Sequence, residues 1–318
     1  MKPSRFFILL LILLAGLIPV SVYFLESETA SFSQNLASLP TRGMIPSEQF
    51  AQVLAGLIVK PTYMMLSLLI ILALTGQAGA DLAALRWGQI AFLVGEIFCA
   101  INFYVYRHES ILSEYLHSYG MALAFGLTTY ALLEGLDARL MRLTASKSAC
   151  EALALCGQCT RHASTGCKAR AFARFSIPFL AILAFIPLLS PLQPDAYAVS
   201  IFGFPYSYAR LDVYEMYERR ILPALALAAF FLAYLPLWKR QGEPPIPFAA
   251  RALICAGIGA LGFSIFRVAL SAIFAGNLVW FEFWEETTEL MFVGAVGFVL
   301  WQFRAALWKN ANLFNSLQ

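Results

Sequence analysis

The sequence predicts an all-α, polytopic transmembrane helical bundle of about eight spans with both termini cytoplasmic. Three observations carry that fold class. Of 318 residues, 60% are hydrophobic and 13% charged, whereas a soluble domain has roughly 25% charged residues. Apolar stretches of about 20 residues, each enough to cross a hydrocarbon core of roughly 30 Å, recur along the chain. Lysine and arginine concentrate on alternate connections, as they do when short cytoplasmic loops retain positive charge. With a mean hydropathy of +0.71, residues 1–318 read as a single integral membrane domain in contact with the lipid bilayer.

The first span, residues 6–25, follows Lys2 and Arg5; it is long for a signal peptide and no small-x-small cleavage site follows, so it is read as uncleaved. The next apolar segment, 48–78, exceeds one span and is interrupted by Lys60-Pro61. The expectation is an interfacial stretch at 49–59 and a second span opened by Pro61, a position that proline tolerates well. Further spans are expected at 87–106, 117–136, 175–192, 221–238, 252–275 and 284–303, joined by connections that make neighbours antiparallel.

Orientation follows from the charges. Lys2, Arg5, Arg86, Arg139, Arg142, Lys147, Arg161, Lys168, Arg170, Arg174, Lys239, Arg240, Arg251, Arg304 and Lys309 fall on one side. Only Arg42, Lys60, Arg107, Arg210, Arg219 and Arg220 fall on the other, and Arg267 is left inside a span. The richer side is read as cytoplasmic, the membrane as a bacterial inner membrane, and the basic residues as reporters of topology and lipid headgroups rather than of nucleic acid.

Residues 138–174 form a cytoplasmic loop in which Cys150, Cys156, Cys159 and Cys167 are spaced C-x5-C-x2-C-x7-C. Thiolates are soft ligands, and a C-x2-C pair lets one turn present two sulfurs to one metal. A reducing cytosol favours metal or redox use over stable disulfides, and Arg161, Lys168, Arg170 and Arg174 can offset thiolate charge. The spacing lacks the second C-x2-C of common zinc sites and matches neither common ferredoxin run. The cofactor is therefore read as an iron–sulfur cluster or zinc, with a thiol relay or a metal-free loop as alternatives. Cys99 and Cys255, within spans, are read as packing residues.

The second chemical feature is intramembrane charge. Glu282, Glu285, Glu286 and Glu289 stand at helical spacing and fall on one face. Such a stripe needs cations, a metal or protons to relieve its repulsion. Glu289 lies about 7 Å into its predicted span, and Arg267, roughly 13 Å below its span end, is about level with Glu96. A network of Glu96, Arg267, Glu286 and Glu289 is predicted, in which Arg267 pairs with Glu96 or Glu289. His108, Glu109, Glu114 and His117 could add ligands near the stripe, although histidines nine residues apart have no helical ligand spacing.

Residues 193–220 are expected to form an external segment rich in tyrosine (Tyr197, Tyr206, Tyr208, Tyr214, Tyr217), either a docking surface or an interfacial helix. Haem b is disfavoured because no histidine falls within the hydrocarbon region of a predicted span. The usual ATPase and hydrolase motifs are absent from the sequence. The first functional reading is a redox-linked subunit of a membrane complex, performing electron transfer or redox sensing at the cysteine loop with other subunits as partners. The second is a transporter or proton-coupled permease using the intramembrane charges. The third is an assembly scaffold.

Overall fold

A computed structural model describes residues 41–104, 106, 110–135, 168–192, 195–201, 204–210, 212–239, 248–274 and 276–304. The order is β1 (Thr41–Gly43), α1 (Pro46–Leu74), α2 (Ala80–Tyr104), α3 (Ile111–Gly135), α4 (Lys168–Leu189), β2 (Asp195–Ile201), β3 (Phe204–Arg210), α5 (residues 212–239), α6 (Phe248–Ile273) and α7 (Leu278–Gln302). Four helical segments, Pro46–Leu74, Ala80–Asn102, Tyr214–Trp238 and Phe248–Ile273, are long and apolar enough to cross a membrane. Phe175–Leu189 is a shorter apolar helix; α3 and α7, each of 25 residues, carry many of the buried polar side chains. Apolar residues such as Leu57, Leu69, Phe179, Phe231, Met291 and Phe298 lie exposed on the outside of the bundle, as lipid contact requires.

α1 is not broken at Lys60-Pro61. The helix runs through, and its turn widens to a π-helical turn at Ala55–Val59, just before the proline. Proline lacks an N–H and its ring collides with the carbonyl four residues back; a wider turn takes up that conflict without ending the helix. α5 repeats the device, with a π-helical turn at Tyr217–Ile221 and Pro223 two residues on. Arg219 and Arg220, expected at the end of the external segment 193–220, belong to helix α5. Arg219 is buried beside Glu215, with Nε 2.6 Å from Oε2. Arg220 donates to the carbonyls of Pro187 and Ser190, each at 2.8 Å, satisfying acceptors left free at the end of α4.

Packing runs from α7 to α1, α2, α3, α6, α5 and α4. Glycine permits the closest crossings. A Cβ on Gly120 of α3 would stand 2.7 Å from Ala91 O and Gly95 Cα of α2, and one on Gly259 of α6 would stand 2.4 Å from Ala122 O of α3. Membrane helices approach closely through such small residues. The starts of α1 and α7 are tied by Asn277, which donates to Glu48 at 2.9 Å and accepts from Trp280 N at 3.3 Å. Tyr214 and Tyr217 are buried rather than displayed, and Tyr217 packs edge-on against Tyr115 and Tyr119 at 4.7 and 4.8 Å. Asp195–Ile201 and Phe204–Arg210 form an antiparallel pair rather than an interfacial helix, with Asp195 opposite Arg210 and β1 added in parallel.

Candidate functional site

The charged residues of six helices converge inside the bundle. On one side, Lys60 of α1 is only 7% exposed. Its Nζ donates to Glu96 Oε2 of α2 at 2.7 Å, to Glu286 Oε1 of α7 at 2.8 Å and to the Tyr63 hydroxyl at 2.9 Å. Cys99 Sγ lies 3.5 Å from the same nitrogen. The Tyr63 hydroxyl also makes hydrogen bonds with Glu96 and Glu286. The lysine ammonium thus faces four acceptors, and one phenolic proton faces two carboxylates. Both contacts are hydrogen bonds only if one carboxyl carries a proton of its own.

On the other side, Arg267 of α6 donates from Nε to Glu218 Oε1 of α5 at 2.8 Å and from Nη2 to Glu114 Oε1 of α3 at 3.5 Å. Its Nη1 is paired with Glu285 of α7. The guanidinium lies over Phe263 and Phe281, 5.2 and 5.5 Å from their ring centres, an arrangement that suits its flat, weakly hydrated charge. His117 of α3, 1% exposed, joins the halves. Its Nδ1 lies 3.3 Å from Gly95 O and 3.2 Å from Glu96 Oε1, and its Nε2 lies 3.9 Å from Glu285 Oε1. The Gly95–Gly120 crossing brings this imidazole against α2.

Glu289 completes the centre. It is 3% exposed, and neither carboxyl oxygen has a hydrogen-bond partner among the described residues. Two turns nearer the start of α7, Glu282 accepts from Gln52 Nε2 at 3.4 Å. Seven carboxyl groups (Glu96, Glu114, Glu218, Glu282, Glu285, Glu286, Glu289) therefore meet two cations, Lys60 and Arg267, and one imidazole. A line of aromatic side chains, Tyr63, Phe92, Phe292, Phe125 and Phe263, begins against Glu96 and Glu286 and ends beside His117. Successive neighbours in that order stand 5.0–6.4 Å apart.

Chemically, such a centre can hold protons or a cation, because burying unpaired carboxylates is costly. Its ligand atoms also group by proximity. One atom each from Glu96, Cys99 and His117 lie within 4.8 Å of one another, as do atoms of His117, Glu285 and Glu289, and atoms of Glu96, Glu286 and Glu289.

The predicted network is thus brought together with different partners. Arg267 pairs with Glu285, Glu218 and Glu114, not with Glu96 or Glu289, because level along the membrane normal does not give direction around the helix axis. Lys60, read as an exterior loop charge, takes Glu96 and Glu286 instead. Its signal was a lysine inside a long apolar run, masked by the proline beside it. His117 is buried with the glutamate stripe rather than facing water, while His108 and Glu109 lie outside the described residues. Tyr63, Cys99 and Glu218 were not foreseen as members. Cys150, Cys156, Cys159 and Cys167 also lie outside the described residues. The chain matches no protein-family model, and no significantly similar curated protein or solved structure was found.

Proposed function

We propose that this multi-pass membrane protein takes up and releases protons at the buried carboxylate centre, in the manner of a proton-coupled permease. The observation that supports the reading best is Glu289: a carboxyl in the bundle interior with no hydrogen-bond donor of its own among the described residues, beside carboxyl groups that outnumber the neighbouring cations. A buried ionisable residue of this kind is the usual mark of a proton or ion path. The Tyr63 hydroxyl, set between the Glu96 and Glu286 carboxyl groups, adds to it. In this reading the chain crosses a bacterial inner membrane about eight times with both termini and residues 138–174 on the cytoplasmic side, for which the distribution of lysine and arginine is the support.

The test is proton flux in proteoliposomes carrying a trapped pH dye, driven by a potassium diffusion potential. Glu289→Gln is expected to lower the protein-dependent rate at least tenfold. An unchanged rate would overturn the reading.

The spacing of Cys150, Cys156, Cys159 and Cys167 supports a second reading, a redox-linked subunit of a membrane complex with an iron–sulfur cluster or zinc on that loop. Anaerobic purification followed by metal analysis and a visible spectrum tests it. Iron with labile sulfide that is lost in Cys159→Ser supports electron transfer, and protein devoid of both iron and zinc rejects it. If Glu289→Gln and Cys159→Ser change abundance alone, the chain is a scaffold.

A further inference from the structure

We infer that His117, Glu285 and Glu289 form a binding site for a divalent transition-metal ion of the zinc and manganese class. The inference rests on reading the centre as a place where cations are held, and it names one cation and its ligands.

Three ligand groupings are close enough to consider, and their neighbours separate them. Glu96 belongs to two of them, and Lys60 Nζ is 2.7 Å from Glu96, 2.8 Å from Glu286 and 3.5 Å from Cys99. An ammonium already neutralises those groups, and a dication beside it would be repelled. The grouping of His117, Glu285 and Glu289 has no lysine on it. Arg267 shares Glu285, but Glu218 and Glu114 offset its charge.

The imidazole is set up as a ligand. Nδ1 faces Gly95 O at 3.3 Å and Glu96 at 3.2 Å, both acceptors. A proton on Nδ1 leaves the Nε2 lone pair pointing the other way, and Nε2 has no hydrogen-bond partner among the described residues. Metal-bound histidines are commonly held in this fashion, with the second nitrogen donating to a carbonyl or carboxylate. Glu289 supplies a carboxyl that would break no hydrogen bond to a described residue on turning toward a metal.

Charge and size agree as well. Two carboxylates and a neutral imidazole balance a dication, and one nitrogen with two oxygens suits zinc, iron(II) or manganese(II) better than copper(I), which prefers sulfur. Ligand atoms about 2.1 Å from one ion lie no more than about 4.2 Å apart. The ligand atoms here lie within 4.8 Å of one another, so small side-chain shifts close the set.

The test uses the full chain with Cys150, Cys156, Cys159 and Cys167 all replaced by serine, purified in detergent and titrated with Zn2+ and, for its spectrum, Co2+. One equivalent of either metal is expected to bind, with ligand-field bands for Co2+ and no sulfur charge-transfer band. Glu289→Gln and His117→Gln in that background should each weaken binding at least tenfold, Glu289→Asp should recover part of it, and Glu134→Gln, whose carboxyl pairs with Arg251 outside the centre, should leave it unchanged. If the serine background is not monodisperse, X-ray absorption of the zinc-loaded unaltered protein decides: a nitrogen and oxygen shell lost in Glu289→Gln supports the site, and sulfur alone overturns it. Equal affinity in Glu289→Gln also overturns it. Proton flux that needs Glu289 in metal-free protein that binds no zinc would reject the metal site and keep the permease reading. Zinc binding that needs Glu289, with flux that does not, would do the opposite.

Discussion

α1 and α5 solve one problem in two ways. Each helix contains a five-residue π-helical turn, then one residue, then proline: Ala55–Val59 with Pro61, and Tyr217–Ile221 with Pro223. In α1 the widened turn is wholly apolar and the charge, Lys60, comes directly after it. In α5 the turn itself holds the charges, Glu218 among them. An extra residue in a turn rotates the remainder of the helix by roughly 100° relative to an unbroken α-helix, so in both helices a side chain that would face lipid or a neighbouring helix can be aimed at the centre. The cations differ in kind. Lysine is a flexible amine able to lose its proton, whereas the guanidinium that Glu218 meets stays charged and holds its partners in a fixed fork. On the proposed reading, exchange falls to the carboxyl groups around Lys60, while the Arg267 half ties α3, α5, α6 and α7 together.

The strongest test of that division is to remove each cation. Arg267→Met leaves Glu218, Glu285 and Glu114 without their shared partner, and loss of one member of a buried ion pair costs about 3–5 kcal/mol. A fall in thermal midpoint and in membrane abundance is expected, and unaltered stability would contradict a clamp. Lys60→Met should cost less, about 1–3 kcal/mol, because Glu96 and Glu286 can be neutralised by protons where the guanidinium partners are held in a wider network. That deficit should shrink as the pH falls, since acid neutralises the carboxylates that lost their cation; thermal melts across pH measure it, and a deficit that grows in acid reverses the assignment.

Smaller effects concern geometry. Gly120→Leu is expected to destabilise by about 1–3 kcal/mol through overpacking and to slow proton flux by separating His117 from Gly95 and Glu96. Pro61→Ala removes the cause of the π-helical turn in α1; proton flux should fall several-fold with stability within about 1 kcal/mol of the parent, while Pro223→Ala should affect stability and spare flux. Gly262→Ala is the quiet end of the series. An added Cβ there meets nothing within 4 Å, and the change should be neutral or stabilising by up to about 1 kcal/mol.

Much of the bundle was legible in the sequence because apolar length is a strong signal. The runs predicted at 87–106 and 252–275 overlap α2 and α6, Ala80–Tyr104 and Phe248–Ile273, with ends displaced by a few residues. The glutamate stripe of α7 was legible from spacing alone, and all four members do turn toward other helices. Lys60 was not, because Lys-Pro in sequence reads as a boundary and only a π-helical turn makes it an interior pair. The partners of Arg267 were not, because helical rise gives depth and leaves azimuth open. The pairing of Asp195–Ile201 with Phe204–Arg210 was hidden among tyrosines that suit several conformations.

The line of aromatic side chains that runs from Tyr63 to Phe263 bears on the proposed proton exchange. Of Tyr63, Phe92, Phe292, Phe125 and Phe263, Tyr63 alone carries an exchangeable proton, and it sits at the end of the line against Glu96 and Glu286. The four phenylalanines offer no hop to a proton. If the centre exchanges protons as proposed, a proton passing these rings would need water beside them, and the proposed flux would be set by hydration of the aromatic line rather than by transfer between oxygens.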